Sequence, residues 1–294
     1  SSANQHPTDE NYPYYLGWDY ASFTRGARIN ERLAAMQAIT PQDMIDLQND
    51  VLNLTARATL PVLLDQLEAQ NLTGDEQKIL NVVKAWNFEN KAMQAAPLIF
   101  DRWWRNLYRL IWADEIERDS GNLQWPRRDV TIELIRSQPQ HAFFDLKNTE
   151  NKNESLADLA FQAFRQAKEE LENELGPLDK PWAWGKARGT DINHLAQIPG
   201  LGRTGLFTSG DAGIVNATSK YFGPSWRMVV ELAPAGVQAW GIYPGGQSGH
   251  PGSYFYDNMV DDWVAGRAYE LLFLQSATEK NDKIIGKTIL GGRK

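Results

Sequence analysis

A serine at a free N-terminus can act as a nucleophile with its own α-amine as base, because that amine titrates near ~8 and stands beside the hydroxyl. Ser1 occupies such a position. A chain cut from a longer one can also begin with serine, and here a second serine follows directly. The remaining titratable residues suggest less chemistry. His6, His141, His194 and His250 lie far apart, with none of the spacings that place two imidazoles on one metal, and they read as surface or packing residues. Asp257, Asp261 and Asp262 stand where a helix should begin, where acids suit the macrodipole. Asp114, Glu115 and Glu117 read as a solvated helix face. No Gly-x-Ser-x-Gly elbow is present, which excludes the α/β-hydrolase arrangement. The absence of cysteine excludes disulfides, zinc–thiolate sites and thiol nucleophiles.

One stretch is built to bring backbone close to something. Residues 244–253 hold four glycines and two prolines between apolar neighbours. Glycine permits close approach and proline fixes φ, so a rigid, irregular loop is expected whose N–H groups could face a pocket. No Gly-Lys-Ser/Thr follows at phosphate-loop spacing. The plainer reading is a shaped surface loop between the strand-like run 237–243 and the amphipathic run Tyr256 to Leu272.

The elements that must position such residues change character along the chain. Residues 1–24 are polar and then aromatic (Tyr12, Tyr14, Tyr15, Trp18, Tyr20), and read as an extended opening segment whose rings pack elsewhere. Arg25 to Ala38 has helical apolar spacing. Thr40, Pro41 and Asp43 form a helix start, predicted to carry Ile45 or Met44, Leu47, Val51 and Leu54 on one stripe. Leu60 to Leu67 is helical. Thr73 and Glu76 form a capping box. Leu98 to Arg118, opened by Pro97, and Glu154 to Leu175, closed by Gly176-Pro177, are long helices. From Lys180 onward, short β-branched or aromatic runs at 182–185, 205–209, 226–232 and 237–243 alternate with Gly/Pro/Asn turns. The expectation is therefore α+β in one domain: an opening segment and helical region over 1–179, a strand-rich region over 180–275 and a frayed basic tail over 276–294.

Bulk properties narrow the class. A chain of 294 residues with 42% hydrophobic and 23% charged residues can bury a large core. A net charge of −7 argues against nucleic acid or an anionic membrane as partner. No run approaches the ~18–20 apolar residues of a membrane span. The opening Ser1-Ser2-Ala3-Asn4, without methionine or signal peptide, suits a processed product or a piece of a longer protein.

Tyr243 to Ser253, followed by Tyr256-Asp257-Asn258 and Trp263 to Arg267, resembles the end of the penicillin acylase (penicillin amidase) β chain. Gly210-Asp211, Val215-Asn216-Ala217, Trp226 to Val229 and Trp182-x-Trp184-Gly185 match as well. So do Ala3-Asn4-Gln5-x-Pro7, Tyr12-Pro13-Tyr14-x-Leu16-Gly17 and Arg25-x-x-Arg28-Ile29. The matches run in family order from residue 3 to about 273.

The resemblance implies an N-terminal nucleophile hydrolase with an αββα sandwich, of which this chain would supply the C-terminal part. In that family a precursor cuts itself into α and β chains, and the new N-terminal serine attacks an amide. Asn4 matches the asparagine whose side-chain N–H is an oxyanion donor, and Arg25 matches an arginine that supports the site. By itself Asn4 reads as a turn residue and Arg25 as a surface or carboxylate-pairing arginine. Family β chains place a long strand-rich stretch between the nucleophile and the asparagine, whereas Ser1 stands three residues before Asn4. Ser1 thus matches interior sequence, and the nucleophile, the second oxyanion donor and most of the acyl pocket are expected outside this chain. The implied partners are a small-molecule amide, the α chain and the N-terminal part of the β chain, in the periplasm or secreted. No cofactor is required. A structural calcium is compatible with the complete enzyme, with its acids drawn mainly from outside this chain, and Asp19 is not assigned to it. The acyl group could be arylacetyl, glutaryl-like or the fatty acyl of a homoserine lactone. The alternatives are a non-catalytic acylase-like binding or structural module, and a small independent hydrolase using Ser1.

Overall fold

Local capping chemistry opens several of the helices in the computed structural model, which describes residues 1–9, 11–116, 123–178, 182–234 and 236–292. Helix α1 spans Thr24–Ala35, α2 Pro41–Gln48, α3 Leu54–Leu67 and α4 Gly74–Lys84. Helix α5 spans Ala96–Ile116, α6 Arg128–Ser137, α7 Leu156–Leu175 and α8 Trp184–Ala187. Strands β1 (Thr190–Ile192), β2 (Arg203–Leu206), β3 (Arg227–Ala233) and β4 (Gly236–Ile242) follow, then α9 (Val260–Val264) and β5 (Tyr269–Glu270). The order is α+β, a helical first half before a strand-rich second. No helix among the described residues is long and apolar enough to cross a membrane.

The chain divides into two units. The first comprises Ser1–Ala38 and Leu47–Pro224, the second Ile39–Asp46 and Ser225–Lys294. The core of the first lies among α3, α4, α5 and α7. Ala160 and Ala163 on α7 are fully buried and small enough to let α5 approach. Trp103 of α5 fills that seam, donating Nε1–H to Ala160 O at 2.8 Å and meeting the Phe164 ring edge-on at 5.2 Å. The antiparallel pair β1–β2 belongs to this unit. The second unit holds the antiparallel sheet β3-β4-β5, in which Met228 faces Gly241, Val230 faces Ala239 and Leu232 faces Val237.

The Thr73–Glu76 capping box forms as the sequence predicts, and Gly176, at φ 83°, ends α7. Several expectations change, some because a distant partner overrides the local pattern. The helix expected to run from Thr40 through Leu54 stops at Gln48. Leu52 forms an antiparallel bridge with Glu89, Asn90 N–H donates to Val51 O, and Asn53 caps α3 by accepting from Ala56 N–H at 3.0 Å. Helix α1 ends at Ala35 rather than Ala38. The expected end of α5 at Arg118 lies outside the described residues. Helix α7 starts at Leu156 rather than Glu154, on a capping box of Ser155 with Asp158. Helix α6 escapes the sequence reading because Arg127 caps it without a side-chain bond, yet its Ile132, Leu134 and Ile135 are buried. The run 182–185 is not a strand: Trp184 N–H and Gly185 N–H donate to Gln94 O and Ala92 O, and α8 forms instead. Strand β2 ends at Leu206, and the run from Tyr256 to Leu272 begins at the end of the 3₁₀ turn Tyr254–Tyr256 and then holds the five-residue α9 and β5. There Asp262 accepts from Arg267 and Tyr269, turning the chain toward β4.

Candidate functional site

The opening segment folds back on the first turn of α1, and this joins the two residues singled out by sequence. Ala21 N–H donates to Asn4 O at 2.8 Å. The Gln5 side chain lies across Gly26, where an added Cβ would stand 2.6 Å from Gln5 Cδ and would push that side chain aside. Asn4 itself adopts φ 65°, a left-handed conformation that asparagine tolerates better than most residues. From α1, Arg25 Nη2 donates to Ala3 O and to Asn4 Oδ1, both at 2.9 Å.

That second bond settles which way the amide faces. A guanidinium carries donors only, so the amide atom it meets is the oxygen, and Nδ2 turns away from Arg25. Asn4 is exposed and Arg25 half-buried. The result is an amide whose Nδ2 donors face away from Arg25 and can donate to an oxygen that carries negative charge.

The foundation under α1 is a set of bonds that sequence reasoning did not assign. Thr24 Oγ1 donates to Gly213 O at 3.0 Å, and Ser22 Oγ to Asp129 Oδ1 at 2.5 Å. One turn beyond Arg25, Arg28 grips Asp50 through Nε at 3.1 Å and Nη2 at 2.7 Å. Asp50 O in turn accepts from Asn216 N–H at 3.0 Å. The loop bearing Gly213 and Asn216 is pinned by Gly210, whose N–H donates to Asn90 O and whose carbonyl accepts from Trp184 Nε1. Further along α1, Arg57 bonded to Glu31, with help from Arg28, holds that carboxyl down at about 2. Arg28, Gly210 and Asn216 all lie in the motifs that carried the family resemblance; the signal was there, but not the roles.

Other candidates are not brought to this point. Ser1 Oγ donates to Asn30 Oδ1 at 2.5 Å, which spends its proton on an amide. His141, His194 and His250 accept N–H groups two residues ahead, from Phe143, Ala196 and Gly252, and so close turns. His6 meets the Tyr20 ring edge-on at 4.7 Å. The glycine-rich loop of the second unit directs N–H groups inward: Ser248 N–H donates to Phe255 O and Gly252 N–H to His250 Nδ1. A Cβ on Gly246 would stand 2.0 Å from Phe255 O, so the glycine serves the loop's own packing. Asp19 is exposed, and among the described residues no group of three or more His, Asp or Glu side chains could hold a metal ion. A cavity of about 800 Å³, lined by Asn106, Asp114, Leu146, Gln166 and Glu170 among others, includes neither Asn4 nor Arg25.

Comparison with known proteins gives concordant matches. The penicillin amidase family model matches residues 1–280. Acyl-homoserine lactone acylase QuiP of Pseudomonas aeruginosa is 25% identical over 312 aligned positions, covering 90% of this chain and 36% of that protein. QuiP of Pseudomonas syringae is 29% identical over 152 positions, 47% of this chain and 18% of that protein. The chain thus spans well under half the length of these relatives. A thermostable penicillin G acylase from Alcaligenes faecalis has a similar fold, with TM-score 0.56 and 14% identity over 96% of this chain and 57% of that one.

Proposed function

The chain belongs to the penicillin amidase family, and from that premise we propose that it forms the part of an amide-hydrolysing acylase that carries the oxyanion donor Asn4 and its positioning residue Arg25. The observation that supports this reading is the 2.9 Å bond from Arg25 to Asn4 Oδ1, which turns the amide N–H groups outward. In this reaction the N-terminal serine of a processed β chain, in a part of the protein outside this chain, adds its Oγ to the amide carbonyl. The carbonyl oxygen becomes an oxyanion that Asn4 Nδ2 helps to stabilise. The C–N bond breaks, the amine leaves with a proton, and water hydrolyses the acyl ester to free acid and serine. A periplasmic location, and a structural calcium held by acids of the remaining polypeptide, would fit the same reading.

Because the similar curated proteins are named for acyl-homoserine lactones, a linear fatty acyl amide is the substrate class to test first, beside an arylacetyl amide. In the full-length processed protein, Asn4→Ala should lower kcat by about 10²–10³-fold, the usual effect of removing one oxyanion donor. Arg25→Ala should lower kcat with a smaller change in KM. The chain alone should not turn over. Wild-type turnover by the isolated chain that is lost in Ser1→Ala would overturn this reading, as would full activity of the Asn4 variant.

A further inference from the structure

Within the first unit, five charged side chains among the described residues meet between α5, α8 and the start of α6, and their pairing leaves one positive charge over. Arg105 Nη2 lies 2.9 Å from Asp101. Arg188 lies 2.6 Å from Asp211 and 3.6 Å from Asp101. Burial pushes the Asp101 carboxyl up, against the pull of Arg105 and Arg188. Arg128 is the third guanidinium. It is half-buried and makes no hydrogen bond or ion pair among the described residues, feeling Asp101 only through space.

Arg128 faces a cavity of about 270 Å³ lined also by Trp104, Arg105 and Tyr108. Its seat is close-fitting, since a Cβ on Gly213 would stand 2.9 Å from Arg128 Nη1. Tyr108 donates its hydroxyl to Pro126 O at 2.6 Å and stacks on Trp125, which fixes the ring as a wall. A half-buried guanidinium needs acceptors for its fork of donors, and a carboxylate matches that fork two atoms to two. The flanking rings favour a flat apolar body. The space holds about nine groups the size of a water, at roughly 30 Å³ each. One excess charge suits a monoanion better than a doubly charged phosphate.

We propose that this cavity binds a small monocarboxylate with a flat apolar body of about benzoate size, its carboxylate on Arg128 and its ring against Trp104 and Tyr108. Neither Asn4 nor Arg25 lines the cavity, so the proposal stands apart from amide hydrolysis.

The test is calorimetric titration of the chain with benzoate, with benzamide as neutral isostere, and with acetate and inorganic phosphate. Benzoate should bind with Kd on the order of 1 mM or tighter, and the other three at least about tenfold more weakly. Arg128→Met should weaken benzoate by about tenfold or more. Gly213→Ala should weaken it too while keeping every charge, because its methyl displaces the guanidinium. Arg127→Met should leave binding unchanged. Benzamide or phosphate binding as well as benzoate would overturn the proposal on the wild-type chain alone. So would full affinity in Gly213→Ala or Arg128→Met, or loss of binding in Arg25→Met, which would put the carboxylate beside Asn4.

Discussion

Asn4 shows how little of a side chain's role resides in its identity. An exposed amide rotates freely and offers oxygen or nitrogen alike; Arg25 removes the choice, since only the oxygen can accept from it. Arg25 is itself held by the helix it starts, and that helix is anchored one turn later by Arg28 on Asp50, whose side chains are 12% and 6% exposed. Removing one partner of a buried pair strands the other, at a cost of roughly 3–5 kcal/mol. Asp50→Ala should therefore lower stability by about that amount in urea unfolding, and by clearly more than Arg57→Ala, whose partner Glu31 is 43% exposed. Glu31 also carries a pH signature. Its folded pKa, about 2, lies below the ordinary 4.5, so its stabilising contribution is present above 4.5 and is lost as pH falls toward 2. Solvent screening at that exposure keeps the effect under about 1 kcal/mol. The stability gap between wild type and Glu31→Gln should be constant above pH 5 and close between about pH 4.5 and 2; a gap that persists unchanged at pH 2 would contradict the assignment.

Among the elements, α1 and the loop 209–218 work as one support. The loop presents Gly213 O to Thr24 and Asn216 N–H to Asp50, and these fix both turns of α1 that bear on Arg25. Gly210 is the residue that lets the loop close. It adopts φ 95°, and a Cβ there would stand 2.1 Å from Asn216 O, a backbone atom that cannot swing aside. Gly210→Ala should cost about 3 kcal/mol or more, in the class of severe backbone effects, and should increase hydrogen exchange in α1 as well as in the loop. Exchange confined to the loop would show that α1 stands without it.

For the whole molecule, uncovered apolar surface is the dominant feature. Tyr14, Tyr15 and Trp18 are 72%, 81% and 69% exposed in the opening segment. In the second unit, Met228, Val230 and Leu232 are exposed at alternate positions of β3, and β3 pairs only with β4 among the described residues. Exposed rings and an edge strand with an apolar face invite association. The chain alone should therefore bind a hydrophobic dye and self-associate in sedimentation experiments. A monomer that melts cooperatively without binding dye would show these surfaces to be tolerated as they stand.

What the amino-acid sequence determined by itself is whatever closes within a few residues. The Thr73–Glu76 box, the Gly176 stop and the hairpin strands β3 and β4 come from caps, turns and alternation that need no distant partner. The order of motifs determined the family for the same reason, since a motif is local by construction. The tertiary structure decided everything that depends on a partner tens of residues away. The break at 49–53 exists because of residues 88–90, and α8 exists because its N–H groups meet residues 92–94. The orientation of Asn4 exists because α1 brings a guanidinium from 21 positions downstream. Local hydrogen bonds can be read from spacing; a bond across the fold forms only when packing has already brought its two ends together.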